Sequence, residues 1–299
     1  MGVVAAIKDR LETLAHWDSM SHREDALRLE FSPVFEPIPH VKDLPSNVFA
    51  EIRVSDASGL SSTRTYGCPR KYIQSWKTLL DQHLESGKIR PSNSQFASPA
   101  FIIPKADPTV LPHWVNDYRR LNDVTINDPY PMPRIDDILA DCAKGKIFGV
   151  MDMTNSFFQT RVHPDCIHLT AVSTPFGVYE WLVMPMGLKN APAIHQQRVC
   201  AALRKYIGVI CHVYLDDIII WSLNIEEHEE NVCTILQALK DAKLFVNPKK
   251  TKLFCVEVEF LGHKVSAAGI QAGESKAQAV LDWPRPTSGH EVQQFLGLV

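Results

Sequence analysis

Residues Ile207–Ser222 read IGVICHVYLDDIIIWS: an apolar run, an acidic step at Leu215-Asp216-Asp217, and a second apolar run. Two β-rich runs around so short a polar step predict strand, turn and strand. Asp216 and Asp217 are adjacent carboxylates within an apolar hairpin. Mutual repulsion and burial both disfavour their charged forms, so something must offset that cost. A tip open to water, where Asp is a common turn residue, would account for the pair equally well.

The flanking segments give the hairpin its setting. Asn190 to Tyr206 reads as a helix, with Asn190 as N-cap and Pro192 in the first turn, where its missing N–H costs nothing. Ile225 to Lys243 reads as another. Val232, Ile235, Leu236 and Leu239 form its apolar face, and Glu226, Glu227, Glu229 and Glu230 sit at the end that the helix dipole favours for acids. Upstream, Lys146 to Met153 carries the buried run Ile147, Phe148, Val150 and Met151 of a strand. Strand, helix, strand-turn-strand, helix, strand predicts an α+β sandwich of the split β-α-β type, with helices on one sheet face. Asp152 closes the first of these strands. If that end neighbours the hairpin tip, three carboxylates converge on one sheet edge. Hard cations such as Mg²⁺ favour such oxygen ligands, and two ions about 3.5–4 Å apart clamp an in-line phosphoryl transfer.

Further from the centre the signals are plainer. Val4 to Leu29 reads as helical, with Ile7, Leu11, Leu14 and Trp17 on one face. Pro33, Pro37, Pro39 and Pro45 then predict a connector rather than core. A helix from Arg70 to Ser86 stops at Gly87. The strand Ala100–Ile103, a turn at 106–109 and Trp114-Val115 predict a hairpin leading into Asp117–Asn122, and Ile135–Cys142 reads as a short helix. Phe157 and Phe158 suit core packing, or one ring lies beneath a sugar. Met184-Pro185-Met186-Gly187-Leu188 is a loop before a helix that could line a nucleotide pocket.

Composition excludes several classes. Seven cysteines at wide spacing with no CxxC argue against a disulfide framework and a zinc site, and point to a reducing intracellular compartment, cytoplasmic or nuclear. The start is charged too early for a secretory signal. The run Ile207–Trp221 is too short and too acidic to span a bilayer, so no membrane partner is expected. A net charge of −3 gives no global basic footprint for nucleic acid. Lys240, Lys243, Lys249, Lys250 and Lys252 form a local one, or else an ordinary solvated face.

Six motifs in register carry a resemblance, in order from about Arg64 to Val299. They are DYRRLN (117–122), MDMTNSFFQ (151–159), VMPMGLKNAPAIHQ (183–196), YLDD (214–217), LFVNPKKTKLF (244–254) and FLGHKVS (260–266). Together they resemble the reverse transcriptase of gypsy-type (Metaviridae-like) LTR retrotransposons. The stretch TPFGVYEWLVMPMGL (174–188) resembles copies from fungal elements. The resemblance implies a right-hand polymerase with fingers, a ferredoxin-like palm and a partial thumb. It implies a linker or N-terminal helical segment over 1–62 and a reverse transcriptase domain over 63–299, with thumb or connection starting near 245–299. The implied activity is RNA-directed DNA polymerisation on a primed RNA or DNA template, from deoxynucleoside triphosphates, with two Mg²⁺ or Mn²⁺ ions.

Carried onto this chain, Asp152, Asp216 and the Met153 carbonyl hold metal, with Asp217 close by. Phe157 rejects a ribose 2′-hydroxyl, Lys105 touches the triphosphate, and Lys249 or Lys250 donates a proton to pyrophosphate. Phe260, Leu261, Gly262 and His263 position the primer end. His113 stands where the family carries a triphosphate-gripping Arg, and it lacks the permanent charge and planar fork of guanidinium. Met186 replaces a usual aromatic. The chain also stops where the family continues through thumb to ribonuclease H, which suggests a truncated copy. Two rival readings stay open: an inactive remnant that still binds nucleic acid, and a metal-dependent nuclease. The nuclease reading leaves DYRRLN and FLGHKVS without a role.

Overall fold

The computed structural model describes residues 18–56, 60, 66–107, 109–273, 278 and 281–298. Ile7, Leu11, Leu14 and Trp17, the apolar face expected of the first helix, lie outside the described residues.

Four strands form the central sheet: β5 (Ile147–Asp152), β9 (Cys211–Tyr214), β10 (Asp217–Ser222) and β11 (Lys252–Cys255). Their order is β11-β5-β10-β9, and every pair is antiparallel. Helix α5 (Ala191–Leu203) joins β5's side of the chain to β9, and α6 (Ile225–Asp241) joins β10 to β11. This is the split β-α-β arrangement expected from the element order. Both sheet faces are covered, which is why β10 reads as an unbroken apolar run. Ile218 and Ile220 enter one core with Met151, Val232, Ile235, Leu236 and Leu239. Ile219 and Trp221 point the other way, toward Phe148, Val258, Phe260 and helix α4 (Ile135–Cys142).

Gly149 in β5 has a packing reason. A Cβ there would lie 2.9 Å from the Leu253 carbonyl oxygen and 3.4 Å from His228 Nε2. His228 is fully buried on α6, with Nε2 2.8 Å from the Leu253 oxygen and Nδ1 2.9 Å from Ser222 Oγ. Gly149→Ala forces β11 or His228 aside. We expect a loss of about 1–3 kcal/mol, as for overpacked cores, read from the urea midpoint. A midpoint unchanged within error would refute this account of the contact.

A five-stranded sheet, β2-β8-β7-β3-β4, forms a second layer. Its strands are β2 (Ile89–Pro91), β3 (Ser98–Ile103), β4 (His113–Asn116), β7 (Val172–Thr174) and β8 (Gly177–Trp181). The expected β3–β4 hairpin is present, with Ile103 opposite His113. Helix α2 (Ile73–Glu85) ends at Gly87 (φ 69), where the Gly87 N–H reaches the Leu84 carbonyl and the Lys88 N–H the His83 carbonyl. These are the two bonds of a Schellman stop. A third sheet, β12 (Glu257–Phe260), β13 (His263–Ser266) and β14 (Gly269–Ala272), packs β12 beside β5.

Three local expectations change. The proline-rich segment is core as well as connection: Phe31 and Val34 are buried with the central sheet, and Val41 and Leu44 with the second layer. Asn190 makes no capping bond; its side chain instead accepts from the Asp128 N–H and donates to the Ile126 carbonyl, tying down the preceding loop. Of the five lysines expected to cluster, three have separate partners. Lys243 donates to the Asp43 carbonyl, Lys250 pairs with Asp152, and Lys240 lies 5.8 Å from the Phe31 ring centroid.

Candidate active site

Asp152 and Asp217 are direct partners across β5 and β10. Alternation along a strand fixes where they point. Asp152 shares the parity of Phe148 and Val150, and Asp217 that of Ile219 and Trp221. Both carboxylates therefore leave the sheet on the face away from α5 and α6, at its open end. Asp216 lies in the two-residue turn between Tyr214 and Asp217. Its carbonyl accepts from the Met153 N–H at 2.8 Å, and the Asp152 carbonyl accepts from the Asn247 N–H at 2.7 Å. Backbone bonds thus bring Asp152, Met153, Asp216 and Asp217 to one place.

The turn is strained and braced. Leu215 has φ 55, a left-handed conformation that costs a branched residue about 1–3 kcal/mol. Gln196, fully buried on α5, holds it from beneath. Its Oε1 accepts from the Leu215 N–H at 2.5 Å and its Nε2 donates to the Val213 carbonyl at 3.0 Å. Nothing in the local pattern around Gln196 announces that role, because its partners lie 17 and 19 residues away.

Burial, with repulsion from Asp216 and Asp152 and some relief from Lys250, pushes the Asp217 carboxyl up to about 6. Lys250 Nζ sits 2.9 Å from Asp152 Oδ2, and this contact raises the lysine's own pKa. The site therefore holds crowded carboxylates with an ammonium drawn among them, a donor set that suits a hard divalent cation. Among the described residues no three His, Cys, Asp or Glu side chains are already closed around a common point. Lys250 is the lysine at the carboxylates, while Lys249 donates its backbone N–H to Asn247 Oδ1.

The Lys250 loop is anchored from the far end of the chain. Helix α1 (18–30) sends Arg28 to the Pro248 and Thr251 carbonyls, and Glu24 accepts from the Leu253 N–H. Arg23 on the same helix pairs with Glu229 of α6. These contacts span more than two hundred residues and leave no sequence signal.

A cavity of about 200 Å³ opens beside the carboxylates, lined by Asp152, Asp217, Lys250, Glu259, Phe260 and Leu261 among others. The β12–β13 hairpin thus meets the site. Its turn is Leu261 (φ 50) and Gly262 (φ 75), between the paired Phe260 and His263. Both left-handed residues belong to a type I′ turn. The Gly273 N–H fixes it by donating to the Gly262 carbonyl at 2.8 Å. Glu259 is an acidic lining residue that sequence reasoning missed.

Lys105, His113, Phe157 and Met186 are not among those lining residues. Lys105 follows β3 and His113 opens β4, so both belong to the free end of the second layer. Met186 is exposed in the loop before α5, and the Gly187 carbonyl accepts from Asn122 of the DYRRLN stretch. Phe157 lies in the turn after β5, half-buried. A larger groove of about 900 Å³ runs between residues 42–49 and the outer side of α5 and α6, away from the carboxylates.

Residues 103–265 match the family model described as reverse transcriptase (RNA-dependent DNA polymerase). The retrovirus-related Pol polyprotein from transposon opus of Drosophila melanogaster is 39% identical over 286 residues, 95% of this chain and 28% of that protein. The polyprotein from transposon gypsy of the same fly is 38% identical over 73% of this chain and 21% of its own length. The transposon Tf2-3 polyprotein of Schizosaccharomyces pombe is 34% identical over 83% and 18%. The chain thus spans between 18% and 28% of the length of these curated relatives. Among solved structures, the foamy viral protease-reverse transcriptase with RNA/DNA hybrid superposes at a TM-score of 0.78 and 23% identity, covering 94% of this chain and 37% of that one. The same viral protein with dsDNA gives a TM-score of 0.79 over 94% and 58%. The fold is a right-hand polymerase. No helix among the described residues is long and apolar enough to cross a membrane.

Proposed function

This chain belongs to the reverse transcriptase family, and from that membership and its carboxylate site we propose that it is an RNA-directed DNA polymerase of a gypsy-type retrotransposon. It adds deoxynucleotides to a primer 3′-hydroxyl on an RNA or DNA template, inside the cell. The observation that carries this reading is the pairing of Asp152 with Asp217 beside Asp216, next to the Phe260–His263 hairpin.

Asp152, Asp216 and Asp217, with the Met153 carbonyl, would hold Mg²⁺ or Mn²⁺, which lowers the pKa of the primer hydroxyl and offsets charge on the leaving pyrophosphate. The chain's residues do the rest. The Phe260–Leu261–Gly262–His263 turn holds the primer end over the carboxylates. The primer hydroxyl gives up its proton to water as its oxygen bonds to the α-phosphorus and the bond to pyrophosphate breaks. Lys250, whose ammonium lies 2.9 Å from Asp152, gives its proton to pyrophosphate; Lys249 is the less direct candidate. Lys105 and His113 contact the triphosphate, Met186 borders the nucleotide, and Phe157 lies beneath the sugar. Residues 63–299 make up the polymerase domain, with the thumb beginning near 245.

The test is extension of a labelled DNA primer on an RNA template with Mg²⁺ or Mn²⁺, and with chelator as control. Metal-dependent lengthening supports polymerisation. Shortening would favour a nuclease, and no change an inactive remnant. In the same assay His113→Arg restores a charge-assisted phosphate contact. Such a contact contributes about 1.5–3 kcal/mol, so KM for the triphosphate should fall by about tenfold or more. An unchanged KM would remove His113 from the triphosphate site.

A further inference from the structure

We propose that His195 is a positioning residue that sets the angle of the Phe157 ring and thereby the discrimination between deoxyribose and ribose substrates. This rests on the reading of Phe157 as the side chain beneath the sugar.

Phe157 stands on a short, heavily braced turn. Asn155 enters it in a left-handed conformation (φ 39). Gln159, fully buried, donates to the Thr154 and Phe245 carbonyls at 2.8 Å each and accepts from the Phe245 N–H at 2.9 Å. Arg198 on α5 reaches the Gln159 carbonyl and Thr160 Oγ1. These bonds fix the backbone on both sides of Phe157 and leave its ring angle to packing.

The ring's partner is His195, one helical turn before Arg198. The two ring centroids are 5.9 Å apart at 88°, an edge-to-face contact. His195 is fully buried, and neither ring nitrogen has a hydrogen-bond partner among the described residues. Buried polar groups are nearly always paired, so such an exception calls for a reason. The imidazole, carried by α5, packs edge-to-face against the Phe157 ring and so narrows the angles that ring can take. Arg198 and His195 share one face of α5, so the same helix braces the turn and aims the ring.

The experiment compares His195→Ala, His195→Phe and Phe157→Ala by single-nucleotide addition with dNTP and with rNTP. We expect His195→Ala to lower the dNTP/rNTP ratio of kcat/KM by about tenfold, mainly through faster rNTP use, with dNTP kcat/KM changed less than about threefold. His195→Phe, which keeps a planar ring, should hold the ratio. Equal losses for both substrates, or an unchanged ratio in His195→Ala while Phe157→Ala lowers it, would overturn the proposal. An unchanged ratio in Phe157→Ala would instead remove the reading of Phe157 itself. A readout independent of turnover is the ¹⁹F resonance of 4-fluorophenylalanine at position 157. It should shift and broaden in His195→Ala and keep its line width in His195→Phe; a resonance unmoved in both would also overturn the proposal.

Discussion

Replacing Asp152 by Asn should leave a folded chain whose rate of nucleotide addition falls by about a thousandfold or more. Removing a single preorganised electrostatic contact costs about 10²–10³ in kcat, and Asp152 is proposed to hold metal and also contacts Lys250. The fold should barely notice. Asp152 keeps its backbone bond from Asn247 and its pairing with Asp217. Its side chain loses only a bridge to a lysine that is 64% exposed, and exposed pairs contribute about 0–1 kcal/mol. A matched control is Asp141→Asn on α4, which breaks an ion pair with Lys144 and a contact to His212 away from the site. That variant should keep its rate. Single-turnover extension beside thermal unfolding separates the two effects. An Asp152→Asn chain within tenfold of the parent rate, at equal stability, would mean that the paired carboxylates are not the reacting centre.

Legibility in the sequence follows the range of each interaction. The hairpin at 211–222 and the strand ending at Asp152 could be read because alternation and turn chemistry are local. The two acidic ends had only to be neighbours in one sheet. The same holds for the Gly87 stop and for the apolar face of α6. Contacts set by tertiary approach left no such trace. Gln196 looks like any helical glutamine until the strained Leu215 is seen above it. Glu24 and Arg28 look like a surface pair until they are found gripping the Lys250 loop. The lysine run between 240 and 252 reads as one basic surface, yet the chain turns between α6 and β11 and gives Lys240, Lys243 and Lys250 different neighbours. The prolines between 33 and 45 did mark a path without regular strands, but Val34, Val41 and Leu44 show that an irregular path can still be core.

The same buried histidines that the sequence does not distinguish from surface ones make the fold acid-sensitive above the range where carboxylates usually titrate. Burial lowers His195 to about 4, with Arg198 nearby adding to the effect. Burial also lowers His228 to about 4, partly opposed by its bond to the Leu253 carbonyl, and His83 to about 4, with Lys88 nearby adding to the effect. Each is neutral in the folded chain and gains a proton more readily when unfolded. Stability is therefore fully present above the ordinary histidine range and is lost as pH falls from about 6.5 toward 4. At pH 5 each of the three histidines should remove about 2 kcal/mol, or about 6 kcal/mol together, against a total of about 5–15 kcal/mol for ordinary folds. The groups facing them are mostly apolar or cationic: His195 meets Phe157 and the Arg198 cation, and His83 meets Trp114, Phe158, Trp181 and the Lys88 cation, while His228 meets the Leu253 carbonyl and Ser222 Oγ, itself bonded by Asn231. Asp217 works in the opposite sense, since protonation below about 6 relieves its repulsion, but it is only partly buried and so offsets less. Urea midpoints at pH 7.5, 6 and 5 should fall steeply between the last two. In His195→Phe about a third of that fall should vanish, because one of the three titrating rings is gone. A midpoint flat from pH 7.5 to 5 would show that all three rings find proton acceptors in the fold, and an undiminished fall in His195→Phe would place the acid sensitivity elsewhere.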